Sequence, residues 1–243
     1  LLVETGSDGL VLVDAGLGAL DMADPAGRLG QWFKYIANPV GDPEETAARQ
    51  VARLGYQAED VRHVVMTHLD LDHAGGLSDF PHATVHVMEA ELKAATCPEN
   101  SWEPRRYRPD HWAHEVIWQP SPGGVGEPWR GLPGARPLTR VAAEILLVPL
   151  AGHTRGHAGV AVKGEDGWLL HAGDALMCAR ELEDRSMPRL AMYHCMADGD
   201  PAAGKQSRQA LSEAAGTGLR ITSSHDYEDF RELSRPGARR GDS

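Results

Sequence analysis

Thr67-His68-Leu69-Asp70-Leu71-Asp72-His73-Ala74-Gly75-Gly76 (residues 67–76) follows directly on the apolar run from Val61 to Met66. That run reads as a short β-strand, so the polar cluster falls at its carboxyl end. In an extended segment residues 68, 70 and 72 share one side, and a turn after Asp72 brings His73 alongside them. Leu69 and Leu71 alternate with the polar residues as buried anchors do. His68, Asp70, Asp72 and His73 therefore form a compact set of metal-capable side chains.

The same arrangement recurs along the chain. Ile145–Leu150 reads as a strand and runs into Gly152-His153-Thr154-Arg155-Gly156-His157. Trp168–His171 runs into Ala172-Gly173-Asp174, and Ile221–Ser224 into His225-Asp226. Strand ends and the loops after them are where α/β scaffolds place functional groups. Two metals need about four to six ligands each, waters included. His153 and His225 can supply one each, and Asp174 can bridge two ions about 3.5–4 Å apart with its two oxygens.

Between these clusters the expected elements are ordinary. Residues 1–5 and 9–14 predict a hairpin around Gly6-Ser7-Asp8-Gly9, and residues 17–42 read as irregular. Helices are expected over 43–54, 89–96 and 205–215, with a strand over 84–88. Residues 119–137 hold five Pro and five Gly and predict a long loop. The aromatic stretches 32–35 and 102–129 either cover the metals and hold an apolar group or pack loops onto the core. The expected organisation is one domain over 1–234, with 97–140 as a lid or insertion and 235–243 as a disordered tail.

The formal net charge of −11 disfavours a nucleic-acid partner. The chain has 42% hydrophobic residues, enough for a sizeable core, and no apolar stretch of about 18 residues, so no membrane span is expected. Leu1–Leu12 carries Glu4 and Asp8 and does not read as a signal peptide. Three cysteines without a CxxC pair fit a reducing compartment. A cytoplasmic monomer or homodimer acting on a small molecule is the expectation. The first residue is Leu1 rather than Met, and whether residues precede it is left open.

Thr67–Gly76, Gly152–His157, Gly173-Asp174 and Ser224-His225-Asp226 together resemble the motif series of the metallo-β-lactamase superfamily, in order and over essentially the whole chain. The resemblance implies an α/β fold, an αββα sandwich. It implies a first metal on His68, Asp70 and His153 and a second on Asp72, His73 and His225, with Asp174 between them. Asp72 would also orient the attacking water, which makes it the catalytic candidate, and Asp14 would support the ligand loop. His157, His171 and His194 are candidates for supporting the site or touching substrate.

Two departures stand out. The family motif is HxHxDH, and Asp70 occupies the place of its second histidine. A carboxylate there shifts preference from Zn toward Mn or Fe, lowers the positive charge of the site, or costs it one ion. Two divalent ions, zinc foremost, remain the expected cofactors. Within the family the layout is most similar to N-acyl homoserine lactonases and neighbouring esterases. Those lactonases carry a Tyr three residues after the bridging Asp, where this chain has Met177, so Tyr193 or His194 would have to replace it. The expected activity is attack of a metal-bound hydroxide on an ester, lactone or similar acyl bond. The alternatives on the same fold are hydrolysis of a small phosphodiester or phosphotriester, and iron-dependent redox chemistry.

Overall fold

A computed structural model describes residues 1–123, 126–183 and 187–234. The expected tail 235–243 lies outside the described residues, as do the side chains of Trp32 and Ile36. The chain forms two compact units, residues 1–123 and 124–243, each with its own sheet and hydrophobic core.

In the first unit β1 (Leu2–Glu4) and β2 (Leu10–Val13) form the expected antiparallel hairpin. Residues 17–42 are not irregular as expected. They hold α1 (Ala19–Ala23), α2 (Pro25–Arg28) and α3 (Gly30–Ala37). Asp24 caps α2 by accepting the Gly27 N–H, with Pro25 pre-set for the first turn. Then come α4 (Ala47–Arg53), β3 (Val61–Val65), α5 (Leu71–Ala74), β4 (Thr84–Met88), α6 (Glu89–Thr96), α7 (Glu103–Arg106) and β5 (Ile117–Ser121). The sheet order is β1-β2-β3-β4-β5, parallel from β2 onward. All four residues of β2 are buried, as continuous apolar strands of parallel sheets are. Leu69 and Leu71 are buried too, with Leu69 in the core alongside Met66, Leu77 and Val87. They anchor the polar residues that alternate with them.

The second unit contains β6 (Glu127–Trp129), β7 (Leu132–Pro137), β8 (Ile145–Pro149), β9 (Ala158–Gly164), β10 (Gly167–His171), α8 (Pro188–Ala197), α9 (Pro201–Ala215), β11 (Arg220–Thr222) and α10 (Tyr227–Leu233). Its sheet runs β11-β10-β9-β8-β7-β6 and is antiparallel apart from the β10–β11 pair. α9 begins four residues earlier than expected, because Asp200 accepts from the Ala202 and Ala203 N–H groups and Pro201 opens the first turn. Helix α8 has no clear amphipathic period and was not expected.

The Pro/Gly-rich stretch 119–137 is not the expected loop. It supplies β5 at the edge of the first sheet and β6 and β7 at one side of the second. β5 and β6 are edge strands, which tolerate Pro120 and Pro128 because a missing N–H there breaks no interior ladder, whereas β7 lies between β6 and β8 and carries Pro133 and Pro137 inside the sheet. Trp112 and Trp118 pack against the first core, and Trp129 meets Trp168 edge-to-face at 5.1 Å between ring centroids. These four rings pack against the two cores, whereas Tyr35 and Trp102 are exposed.

Candidate metal centre

In the first unit the backbone turns at the end of β3, and α5 begins with Asp70 at its N-cap. His68 Nε2 lies 3.4 Å from Asp70 Oδ2, and His73 Nε2 lies 3.9 Å from Asp72 Oδ2. Asp14 stands behind them. Its Oδ2 is 3.0 Å from His73 Nδ1 and accepts the Thr67 hydroxyl at 2.8 Å, while its Oδ1 accepts the Thr67 N–H. Thr67 Oγ1 in turn is 2.9 Å from His68 Nδ1. One carboxylate thus fixes both imidazoles by their Nδ1 sides and turns their Nε2 atoms toward the neighbouring carboxylates. Asp14 holds φ +54°, a conformation that non-glycine residues adopt at a cost of about 1–3 kcal/mol. Ala74-Gly75-Gly76 is buried and close-packed rather than a flexible hinge, since a Cβ on Gly76 would run into the Ala15 carbonyl.

Asp70 has a second partner that the sequence did not reveal. Arg106, at the end of α7, donates from Nε to Asp70 Oδ1 at 2.8 Å and from Nη2 to Oδ2. The loop backbone is held as well, because buried Glu91 accepts the Leu69 N–H at 2.9 Å and the Tyr107 hydroxyl at 3.0 Å. Burial and the neighbouring Glu91 push the Tyr107 phenol up, and although burial opposes it, Asp70 holds the Arg106 guanidinium above its usual value.

In the second unit Asp174 is approached by two imidazoles. His153 Nε2 lies 3.5 Å and His225 Nε2 lies 3.3 Å from its Oδ2. His157 is not positioned like these. Its Nδ1 faces the Leu150 carbonyl at 3.1 Å, and its Nε2 accepts the Asp174 N–H at 3.0 Å. With both ring nitrogens engaged, it fixes the backbone of the Asp174 turn. Behind His153 sits Asp198, 3.7 Å from its Nδ1 and bonded to Arg208 at 2.8 Å. Burial disfavours ionised Asp198, but His153, His194 and Arg208 more than offset it and hold its carboxyl well below the usual range. His194 meets Glu181 at 2.7 Å and Arg208 at 3.2 Å, and Glu181 also accepts the Met177 and Cys178 N–H groups. His171 reaches Thr222 and Ser224 at 3.4 Å each, and Tyr193 is exposed.

These donor sets suit metal ions. Two donors about 2.1 Å from one ion at a tetrahedral angle stand about 3.4 Å apart. His68/Asp70, His153/Asp174 and His225/Asp174 lie within 0.1 Å or so of that spacing. His68, His73, His153 and Asp174 are buried, and candidate metal-binding groups occur at all seven expected positions.

Residues 1–211 match the model of the family described as "Metallo-beta-lactamase superfamily". The chain belongs to that superfamily. Among curated members of the superfamily, the chain is 48% identical to the Probable metallo-hydrolase of Mycobacterium tuberculosis over 187 residues, 76% of this chain and 58% of that protein. It thus spans little more than half the length of that relative. It is 28% identical to the N-acyl homoserine lactonase AttM of Rhizobium johnstonii, over 91% of this chain and 79% of that one. Among solved structures of the same fold, an N-acyl homoserine lactone hydrolase with the product N-hexanoyl-L-homoserine at its catalytic metal centre superposes with a TM-score of 0.70 at 22% identity. That match covers 97% of this chain and 83% of the other. The α/β fold with two sheets and flanking helices is therefore that of the metallo-β-lactamase superfamily. Among the described residues no helix is long and apolar enough to cross a membrane.

Proposed function

We propose that the chain is a metal-dependent hydrolase of an ester, lactone or similar acyl bond in a small molecule. In this reading His68, Asp70 and His153 hold one divalent ion, Asp72, His73 and His225 hold a second, and Asp174 belongs to both. The observation that carries it is the spacing of the Nε2–carboxylate pairs within each unit, at the separation that shared coordination demands. Similarity to N-acyl homoserine lactonases over nine-tenths of the chain supports the acyl-bond class.

Bound divalent ions in such a site acidify a water and polarise a carbonyl oxygen. The chain's own residues do the rest. Asp72, part-exposed beside buried His73, would orient that water and take its proton. Asp14 keeps His73 and, through Thr67, His68 in one ring orientation. His157 fixes the turn that presents Asp174. Met177 offers no side-chain donor to a substrate carbonyl. Its backbone is committed to Glu181, and His194 is likewise committed to Glu181 and Arg208, which leaves exposed Tyr193 as the remaining candidate. The substrate partner is a small molecule, and the chain works as a monomer or homodimer in the cytoplasm.

Purified protein loaded with zinc is to be tested on N-acyl lactones, aryl esters and phosphodiesters. Turnover of a lactone or ester that Asp72→Asn abolishes, while the ion assigned to His68, Asp70 and His153 is retained, is the expected result. Turnover of phosphodiesters alone would overturn the acyl-bond reading.

A further inference from the structure

Asp70 brings an extra negative charge to a donor that sits beside His68, and the structure sets a buried cation against it. The Arg106 fork engages both Asp70 oxygens, the arrangement in which guanidinium–carboxylate pairing is strongest and most directional. Both partners are nearly buried, so their attraction is little screened. A carboxylate has about four lone-pair sites. Two are taken by the fork, and Oδ2 still faces His68 Nε2 at 3.4 Å. Arg106 is followed by an anchored residue. Tyr107 bonds to Glu91, which also grips the Leu69 N–H of the ligand loop. The ligand loop and Tyr107, the residue after Arg106, are thus fixed to one carboxylate.

We infer that Arg106 and Asp70 act as a single, formally neutral metal-binding unit, in which Arg106 is a positioning residue that aims Asp70 Oδ2 and cancels its charge. This rests on the reading of His68 and Asp70 as donors to one ion. It follows that Asp70 does not draw the site toward Mn or Fe as a bare carboxylate does. The neutral pair leaves the site's charge where a neutral imidazole at position 70 would leave it. Arg106 is also what makes an aspartate workable at this position.

The test is zinc binding by the full chain, read as ions per chain and by competition against a chromophoric chelator, for wild type, Arg106→Met, Asp70→His and the double variant. Wild type is expected to bind two zinc ions. Arg106→Met is expected to weaken one of them about 10–100-fold, the usual consequence of removing a group that orients a ligand. Asp70→His alone is expected to lose a similar amount, because it sets an imidazole against an uncompensated guanidinium. The double variant is expected to recover binding to within about threefold of wild type, a rescue that a merely structural role would not give. Arg106→Met that binds two ions as tightly as wild type, or more tightly, would overturn the inference. If either single variant fails to fold, the double variant decides: a double variant that does not hold two ions overturns the inference, and one that does supports it. A wild type that binds zinc as expected but hydrolyses no acyl substrate overturns the proposed activity and leaves this inference standing. A wild type that binds no zinc overturns both.

Discussion

Asp14 Oδ2 lies 3.0 Å from His73 Nδ1, although the two residues are 59 positions apart in the chain. The pairing commits the Nδ1 side of His73 to the carboxylate and turns its Nε2 toward Asp72. Asp14→Ala is expected to weaken zinc binding about 10–100-fold without displacing β2, whose own side chains are all buried. Asp14→Asn keeps the short polar side chain that tolerates positive φ and is expected to fall between the two. Chelator competition and thermal melting of both variants check this.

A buried ion cluster around Asp21 predicts acid sensitivity. Asp21 bonds to Arg28 Nε at 2.6 Å and lies 3.2 Å from His111 Nε2, with Asp21 and His111 fully buried. Burial raises the Asp21 carboxyl, but His111, the Gly18 N–H and Arg28 together outweigh that and lower it below 3.8. A lowered folded-state value means that ionised Asp21 stabilises the fold above the unfolded value and loses that contribution as pH falls through the folded one. Asp21→Asn is expected to cost about 3–5 kcal/mol at pH 7, because it leaves a buried cation uncompensated. The gap between variant and wild type is expected to close below about pH 4. Denaturant melts at pH 7, 5 and 3 measure it, and a gap independent of pH would contradict it.

Gly204 in α9 is required by close approach. A Cβ there would run into Asp198 Oδ2, the oxygen that also accepts from Arg208. Gly204→Ala is therefore expected to cost about 1–3 kcal/mol as an overpacked site, despite the helix propensity of alanine. It is also expected to weaken zinc binding through Asp198 and His153. Thermal melting with and without zinc separates the two effects.

His157→Phe removes both the Leu150 and the Asp174 bonds while keeping a flat aromatic ring, a somewhat larger one. It is expected to leave the buried Asp174 N–H without that acceptor and to cost about 1–3 kcal/mol. If His157 only supports Asp174, the variant still binds zinc, with reduced affinity, whereas Asp174→Ala is expected to abolish high-affinity binding. Equal losses in the two variants would assign His157 to the metal directly.

Several elements were legible because their signals are local. Strand β4 and helix α6 fall at the residues expected, 84–88 and 89–96, since a β-branched run followed by an acid-led helical stretch is read from near neighbours. The four strand ends carrying His68, His153, Asp174 and His225 were legible for the same reason. Strands β5 to β7 were hidden because five prolines suggest a loop; β5 and β6 are tolerated as edge strands, and β7 forms through its long-range pairing with β8. Helix α8 lacked a clear apolar period, so composition alone gave no sign of it.

The sequence by itself determined which residues could bind metal and on which strand ends they stand. The spacing of polar and apolar side chains along a strand is a property of a few consecutive residues. Tertiary structure alone supplied Arg106 on Asp70 across 36 positions, and it gave the expected supports Asp14 and His157 their partners, the His73 ring across 59 positions and the Asp174 backbone across 17. A buried charge or ring nitrogen takes its partner from whatever the packed core brings within about 3 Å, and no local pattern records that choice.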